Sequence, residues 1–247
     1  MKYKLAFLFC LFTHFYSLGN SISEKHNVSF EDISIQKIDI QNGMDSTTSL
    51  YILDAGLDKR VARLAKHLRN KSSTSNYRII AISHRRFSNK LRKRDFIPPN
   101  DSTFFDPDAR FTGEANRFLD YIINFVTPNF DSAANCRILI GHSFGGLFGV
   151  YAAAQPKPAF NEIYSLSPSL WVNRRSAIKK YSYDSTIHFN TPVHIYYGSL
   201  EQLNLVAPAI RKFKKTIRQE DLDLISIHSI RWKTHLSIVR CINEMIL

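Results

Sequence analysis

The 247 residues include 44% hydrophobic side chains and carry a formal net charge of +12, from 33 Lys and Arg against 21 Asp and Glu. This length and apolar content favour one large folded domain and exclude two domains of comfortable size, because no repeat, low-complexity tract or linker marks a boundary. The positive charge favours contact with anionic surfaces or acidic substrates and carries no information about the fold.

The N-terminal segment has the pattern of a secretory signal. Two lysines precede an apolar run over 5–12, and small residues near Gly19 suit a signal peptidase. We predict a signal peptide over 1–19, a single domain over 20–247, and an exported protein that is periplasmic or secreted. The apolar run is too short and too interrupted to span a bilayer, so we expect no stable membrane insertion once the signal is removed.

Strands and helices then alternate along the chain. One or two edge strands of a hairpin are predicted within 21–41. Central strands are predicted at 49–53, 78–82, 137–140, 162–166, 193–197 and 224–230, and helices at 57–68, 113–125, 144–154 and 205–219, with a last helix ending at 245. Pro128 is predicted to end the second helix. This alternation predicts an α/β fold with a mostly parallel, doubly wound sheet, helices on both faces, and functional loops at the carboxyl ends of the strands.

The stretch 83–112 is long, contains prolines and has no decided structure, so it is where a binding lid or rim is expected. It includes a basic run over 84–94 that we interpret as a loop. This run lacks a nucleic-acid recognition motif, so we interpret it as a solvated or substrate-steering segment and expect no nucleic-acid partner.

The predicted strand at 137–140 leads directly into Gly-His-Ser-Phe-Gly at 141–145. A G-x-S-x-G sequence between a strand and a helix is typical of a nucleophile elbow, a turn so tight that flanking glycines are needed to lift the serine above the sheet. Ser143 is therefore the candidate nucleophile. The backbone amide of Phe144, at the positive end of the following helix, is the candidate first donor to an oxyanion.

A serine hydroxyl needs a base that takes its proton during attack. Of the nine histidines, His235 follows the last predicted strand in a loop and is the candidate base, whereas His142 is interpreted as structural. Glu201 follows the carboxyl end of a strand and is the candidate acid that orients the imidazole. Asp184 is the fallback, and a Ser-His pair without an essential acid stays open. The order Ser143, acid, histidine is that of an α/β-hydrolase.

A second oxyanion donor is expected from the loop after the first central strand, at Gly56 with Ala55 as the alternative. The sequence offers no clustered ligand spacing, so no metal or organic cofactor is predicted. After removal of the signal with Cys10, the thiols of Cys136 and Cys241 could pair in an oxidising compartment, but we predict two buried free thiols. The oligomeric state is not set by the sequence.

Several segments resemble one known family. They are Tyr-Ile-Leu-Asp at 51–54, Arg-Asp-Phe-Ile-Pro at 94–98, the start of the helix at 113–118, the elbow at 141–148, and Ser-Leu-Ser-Pro-Ser-Leu-Trp at 165–171. Together they resemble an esterase family of α/β-hydrolases that includes siderophore (enterobactin-type) esterases and is related to the mycobacterial mycolyltransferases. The resemblance extends from about residue 50 to the end of the chain.

The resemblance implies the α/β-hydrolase fold and a secreted or periplasmic carboxylic-ester hydrolase that uses Ser143, Glu201 and His235, with an oxyanion amide at Gly56. The Leu-Asp-Gly usual in the family is Leu-Asp-Ala at 53–55 here.

The acyl pocket is also expected to differ from that of the family. Val172 stands where the family commonly has a second tryptophan, and Leu236 stands where it often has a small residue after the catalytic histidine. Asp54, Arg94 and Trp171 are candidate substrate contacts.

The expected partner is a small-molecule ester. The aromatic and basic side chains of Phe87, Arg92, Arg94 and Trp171 would suit an anionic or catechol-bearing ester. Two alternatives stay open, an acyltransferase of the same fold and a catalytically silent basic binding module.

Overall fold

The computed structural model describes residues 23–27, 33–40, 47–53, 58–70, 76–84, 88–99, 113–203 and 205–238. Within these ranges one sheet contains eight strands: β1 Ser23–Asn27, β2 Ile33–Ile40, β3 Thr47–Leu53, β4 Asn76–His84, β5 Cys136–His142, β6 Glu162–Leu166, β7 Val193–Gly198 and β8 Ile225–Ile230. Their spatial order is β1-β2-β4-β3-β5-β6-β7-β8. The β1–β2 and β2–β4 pairs are antiparallel and the others are parallel, which confirms the predicted mostly parallel sheet with an N-terminal hairpin.

The described helices are α1 Asp58–Asn70, α2 Asn89–Phe96, α3 Ala115–Tyr121, α4 Thr127–Phe130, α5 Phe144–Ala153, α6 Val172–Tyr183 and α7 Val206–Thr216. A π-helical segment, Ile122–Val126, joins α3 to α4, and 3₁₀ turns lie at Ser199–Leu203 and Gln219–Asp221. Within the described ranges, no helix is long and apolar enough to cross a membrane.

Alternate residues of the central strands contribute to two separate cores, one on each face of the sheet. Tyr51 and Leu53 belong to the core that α2, α3, α5, α6 and α7 cover. Leu50 and Ile52 belong to the core that α1 covers. Because side chains alternate along a strand, a continuous β-branched and aromatic run can serve both cores, and each fully buried side chain of this kind contributes about 1.5–3 kcal/mol. Helices on both faces are thus confirmed.

The loop predicted for the basic run over 84–94 is wrong from residue 89, where α2 begins. The hydroxyl of Ser88 caps this helix by accepting from the Leu91 amide at 3.3 Å. Phe96 then packs against Phe118 and Phe148, with ring centroids 5.3 and 6.1 Å away. The charged surface of α2 hid its helical pattern, since four of its eight residues are Lys or Arg.

The expected helix end at Pro128 is also wrong, since α4 passes through this proline. The π-helical turn shifts the hydrogen-bond register, so Pro128 falls in the first turn of α4, where a backbone N–H has no helical partner to lose. The helix α6 lies in a stretch for which the sequence predicted no element.

A buried carboxylate, Asp131, links three strands near their amino ends. It accepts from the hydroxyls of Ser49 at 2.5 Å and Tyr51 at 2.9 Å, both on β3. The guanidinium groups of Arg137 on β5 and Arg78 on β4 donate to it at 2.9 and 3.3 Å. This Asp131 cluster fixes the register of the strands at the edge of the sheet opposite to the candidate site.

Several predictions lie outside the described residues. They concern the signal peptide with Cys10, the oxyanion loop with Asp54, Ala55 and Gly56, the side chain of Phe87, and the last helix with Cys241. Cys136 is a free thiol, and burial, followed by the nearby charge of Glu162, raises its pKa.

Candidate active site

Ser143 lies in a one-residue turn between β5, which ends at His142, and α5, which begins at Phe144. Its backbone angles are φ 60° and ψ −114°, a conformation that costs a non-glycine residue free energy and persists only where the surroundings enforce it. Gly141 allows the turn, because a Cβ at this position would overlap the carbonyl of Gly145. The local geometry is that of the predicted nucleophile elbow.

Glu201 and His235, which are 34 residues apart, meet at the same edge of the sheet. Glu201 lies in the 3₁₀ turn after β7 and His235 in the loop after β8. The imidazole Nδ1 lies 2.9 Å from the carboxylate Oε2, and we assign it as the donor because an ionised carboxylate only accepts. The structure therefore brings the predicted acid and base together. The fallback acid, Asp184, instead accepts from the hydroxyl and amide of Thr186 after α6.

The Glu201 carboxylate is completely buried, and each of its oxygens is engaged. Oε1 accepts from the Ser167 hydroxyl at 2.6 Å and from the Gly198 amide at 2.7 Å. Burial alone would raise the pKa of this carboxyl, but the hydrogen bonds from His235, Ser167 and Gly198 outweigh it and lower the pKa below its ordinary value. Gly198 must lack a side chain, since a Cβ there would overlap the carbonyl of Lys233.

His142 joins the elbow to the loop that carries the base. Its Nε2 donates to the backbone carbonyl of His235 at 2.7 Å, and the two ring centroids are 4.6 Å apart. This contact is compatible with the structural role predicted for His142, whose partner could not be predicted from residue types alone.

The Ser143 hydroxyl contacts another hydroxyl, that of Ser169, at 3.2 Å. The Ser169 amide also donates to the Ser143 carbonyl at 3.0 Å. Within the described part of the chain, no hydrogen bond joins the Ser143 hydroxyl to His235. Sequence reasoning missed the roles of Ser167 and Ser169, for which the Ser-Pro-Ser segment directly after β6 was the available signal.

The first amide of α5 belongs to Phe144, the candidate oxyanion donor. The Phe144 ring lies 6.4 Å from the ring of Trp171 and 5.4 Å from the Arg92 guanidinium. Two of the aromatic and basic side chains considered from the sequence therefore border the elbow.

Arg94 has a different environment. Its guanidinium donates to Asp95 at 2.7 and 2.9 Å. Asp95 also bonds His84 Nε2 at 2.7 Å, so this group connects α2 to the end of β4. Burial would raise the pKa of Asp95, but the hydrogen bonds from His84 and Arg94 lower it. Within the described residues, no group of three or more His, Cys, Asp or Glu side chains could hold a metal ion.

No protein-family model matches the chain. Over 89 residues it is 33% identical to a siderophore enterobactin esterase from Emericella nidulans, a match that covers 34% of this chain and 29% of that protein. The siderophore hydrolase EstB from Aspergillus nidulans has a similar structure, with a TM-score of 0.71 and 20% identity over 91% of this chain and 92% of EstB. The chain shares the fold of the siderophore esterases.

The enterobactin hydrolase IroE in complex with DFP has the same siderophore-esterase fold, with a TM-score of 0.64 and 17% identity over 92% of this chain and 95% of IroE. The predicted resemblance to siderophore esterases is thus confirmed in sequence and in fold. The sequence match spans less than a third of the Emericella protein, whereas the structural match extends over almost the whole chain. The more distant relation to mycolyltransferases stays a prediction.

Proposed function

We propose that the protein is an exported serine carboxylic-ester hydrolase with Ser143 as nucleophile, His235 as general base and Glu201 as the acid that orients His235. The observation that carries the proposal is the 2.9 Å contact between His235 Nδ1 and the buried Glu201 carboxylate, at the sheet edge where Ser143 occupies an elbow turn. The fold shared with siderophore esterases supports it.

The Glu201 carboxylate holds the imidazole proton on Nδ1 and so leaves the Nε2 lone pair of His235 available as a base. The Ser143 hydroxyl turns from Ser169 toward Nε2, gives up its proton, and attacks the ester carbonyl. Active-site hydrogen bonds of this kind are often formed only when substrate is bound.

Negative charge then develops on the former carbonyl oxygen. The Phe144 amide at the start of α5 donates to this oxyanion, with Gly56 proposed as the second donor, and each donor contributes about 3 kcal/mol to the transition state. Protonated His235 gives its proton to the leaving alcohol, and an acyl-enzyme is left on Ser143. His235 then removes a proton from water, which attacks the acyl group, and returns this proton to the Ser143 oxygen as the carboxylic acid is released.

The proposed substrates are small esters of the siderophore class, since the relatives similar in sequence and fold are named for such esters. The surroundings of the site suit a substrate with aromatic and anionic parts. Arg92 lies against Phe144, and Trp232, which is 69% exposed three residues before His235, has the Arg231 guanidinium 5.2 Å from its ring. Asp54, Arg94 and Trp171 stay proposed substrate contacts.

The test compares the wild-type protein with Ser143→Ala and with Ser182→Ala. Ser182 is the matched control, because its buried hydroxyl bonds Thr216 at 2.8 Å between α6 and α7, away from the elbow. We expect wild type and the control to hydrolyse short p-nitrophenyl esters and to bind a fluorophosphonate label, and Ser143→Ala to do neither.

A panel of simple esters, feruloyl esters and iron-chelate lactones then identifies the substrate class. A wild-type protein that is folded but neither hydrolyses any of these esters nor binds the label would contradict the proposal and favour a binding module. Diversion of most product into a new ester by an added alcohol or sugar would identify an acyltransferase.

A further inference from the structure

We propose that Ser167 is a positioning residue of this site, whose hydroxyl holds the Glu201 carboxylate in the orientation that His235 requires. The inference rests on the proposed function and adds a fourth side chain to the proposed Ser-His-Glu set.

The geometry of the Glu201 carboxylate points to this role. The Ser167 hydroxyl lies 2.6 Å from Oε1, a length typical of a hydroxyl that donates to an ionised carboxylate. The Gly198 amide donates to the same oxygen at 2.7 Å. Two donors on Oε1 fix the rotation of the carboxylate plane and leave Oε2 facing His235. Without Ser167, the Gly198 amide would be the one donor left on Oε1, and the carboxylate plane would be held less tightly.

The position of Ser167 also suits this role. Its side chain is fully buried, and its amide donates to the carbonyl of Tyr196 on β7 at 2.6 Å, so the donor is attached to the strand from which the Glu201 turn departs. Its φ is 45°, in the left-handed region that a glycine adopts with less strain. The backbone is therefore strained at this serine, and the hydroxyl of the serine donates to Glu201.

Ser167 also affects the protonation of Glu201. A buried carboxylate stays ionised only if donors compensate for lost hydration, and Ser167 is one of the three groups that lower the pKa of Glu201. Removal of this donor raises the pKa of the Glu201 carboxyl, so the hydrogen-bonded pair takes up a proton at a higher pH. The other ionisable side chain shown at the pair, among the described residues, is that of His142, whose ring lies 4.6 Å from that of His235, and Lys233 contributes a backbone carbonyl that accepts from the Leu200 amide. Substitution of Ser167 leaves both in place.

Two substitutions separate the hydroxyl from the backbone strain. Ser167→Ala removes the donor and keeps a side chain at φ 45°, whereas Ser167→Gly removes the donor and relieves the strain. We expect both to lower kcat by about 10- to 100-fold with KM changed less than about twofold, because a hydrogen bond to a charged group is lost. We also expect the acid limb of the kcat/KM profile to move upward by about one pH unit. The glycine variant should unfold at a temperature higher by about 2–4 °C than the alanine variant.

Ser182→Ala, which also loses a buried hydroxyl, is the control and should keep the wild-type kcat and acid limb. A glycine variant that regains the kcat lost in the alanine variant would overturn the inference, because the role of Ser167 would then lie in the backbone. Variants with wild-type kcat and an unmoved acid limb, in an active enzyme, would overturn the inference alone. Inactivity of the wild-type protein toward every ester would overturn the proposed function, and the inference with it.

Discussion

The substitution Glu201→Gln tests the buried acid most directly. The Ser167 hydroxyl and the Gly198 amide both point at Oε1, so the new side chain should place its amide oxygen there. Its NH₂ group then faces His235 Nδ1 and can only donate. His235 must accept at Nδ1 and carry its proton on Nε2, where it cannot act as a base toward Ser143.

The opposite orientation of the new side-chain amide has a free-energy cost that follows from the structure. A flipped amide would let His235 Nδ1 donate again, which leaves Nε2 free to act as a base. It would also place an NH₂ group against the Gly198 amide, which can only donate. An unsatisfied buried donor costs about 1–3 kcal/mol, so the flipped form is disfavoured by about 5- to 150-fold. Even then the imidazolium of His235 lacks an anionic partner, which adds a penalty of similar size. We therefore expect kcat to fall by about 10²- to 10⁴-fold.

The assay is steady-state hydrolysis of a p-nitrophenyl ester on the pH plateau, together with a thermal melt that confirms a folded variant. KM should change little, because Glu201 is buried behind His235 and has no surface available to substrate. A folded Glu201→Gln protein that loses less than tenfold in kcat would refute the role of Glu201, and a working Ser-His pair would then be the better description.

Three further predictions concern the elbow and the buried carboxylates. Gly141→Ala should destabilise the protein by about 1–3 kcal/mol or prevent folding, because the new Cβ would overlap the Gly145 carbonyl. Gly145→Ala is the control, since its Cβ meets its nearest neighbour at 3.4 Å, and its urea midpoint should be close to that of wild type. Equal midpoints for the two variants would contradict the proposed crowding at Gly141. Ser169→Ala should change the kcat of ester hydrolysis, because the resting contact of the Ser143 hydroxyl is lost, and an unaltered kcat would show that this contact is incidental. Because the folded pKa of Asp95 lies below its ordinary 3.8, its stabilising contribution is present above pH 3.8 and is lost as the pH falls through the folded value, so urea titrations of Asp95→Asn should show a flatter acid dependence.

The central strands could be predicted because each is a short run of β-branched or aromatic residues. A strand that is buried on both faces of a sheet requires such a run. The same reasoning placed Ser143, Glu201 and His235 at carboxyl ends of strands, and the parallel sheet brings those ends to one edge. The fold and the Glu201–His235 contact were therefore within reach of the sequence.

The features that sequence reasoning missed depend on tertiary contacts. Arg92 counts as a surface residue in any periodicity argument, yet α2 packs it against Phe144, where it is 6% exposed. The roles of Ser167 and Ser169 follow from a backbone bend with φ 45° at Ser167, which residue types alone do not specify. The passage of the chain through Pro128 depends on a π-helical turn with no sequence signature.

The Asp131 cluster has a consequence for how this scaffold can change. The arginines and hydroxyls around Asp131 tie β3, β4 and β5 together at their amino ends, about 20 Å along the strands from Ser143. Strands clamped at one end keep their alignment while the loops at the other end vary. Insertions or exchanges around the entrance can therefore retune which esters enter without loosening the framework that supports the chemistry.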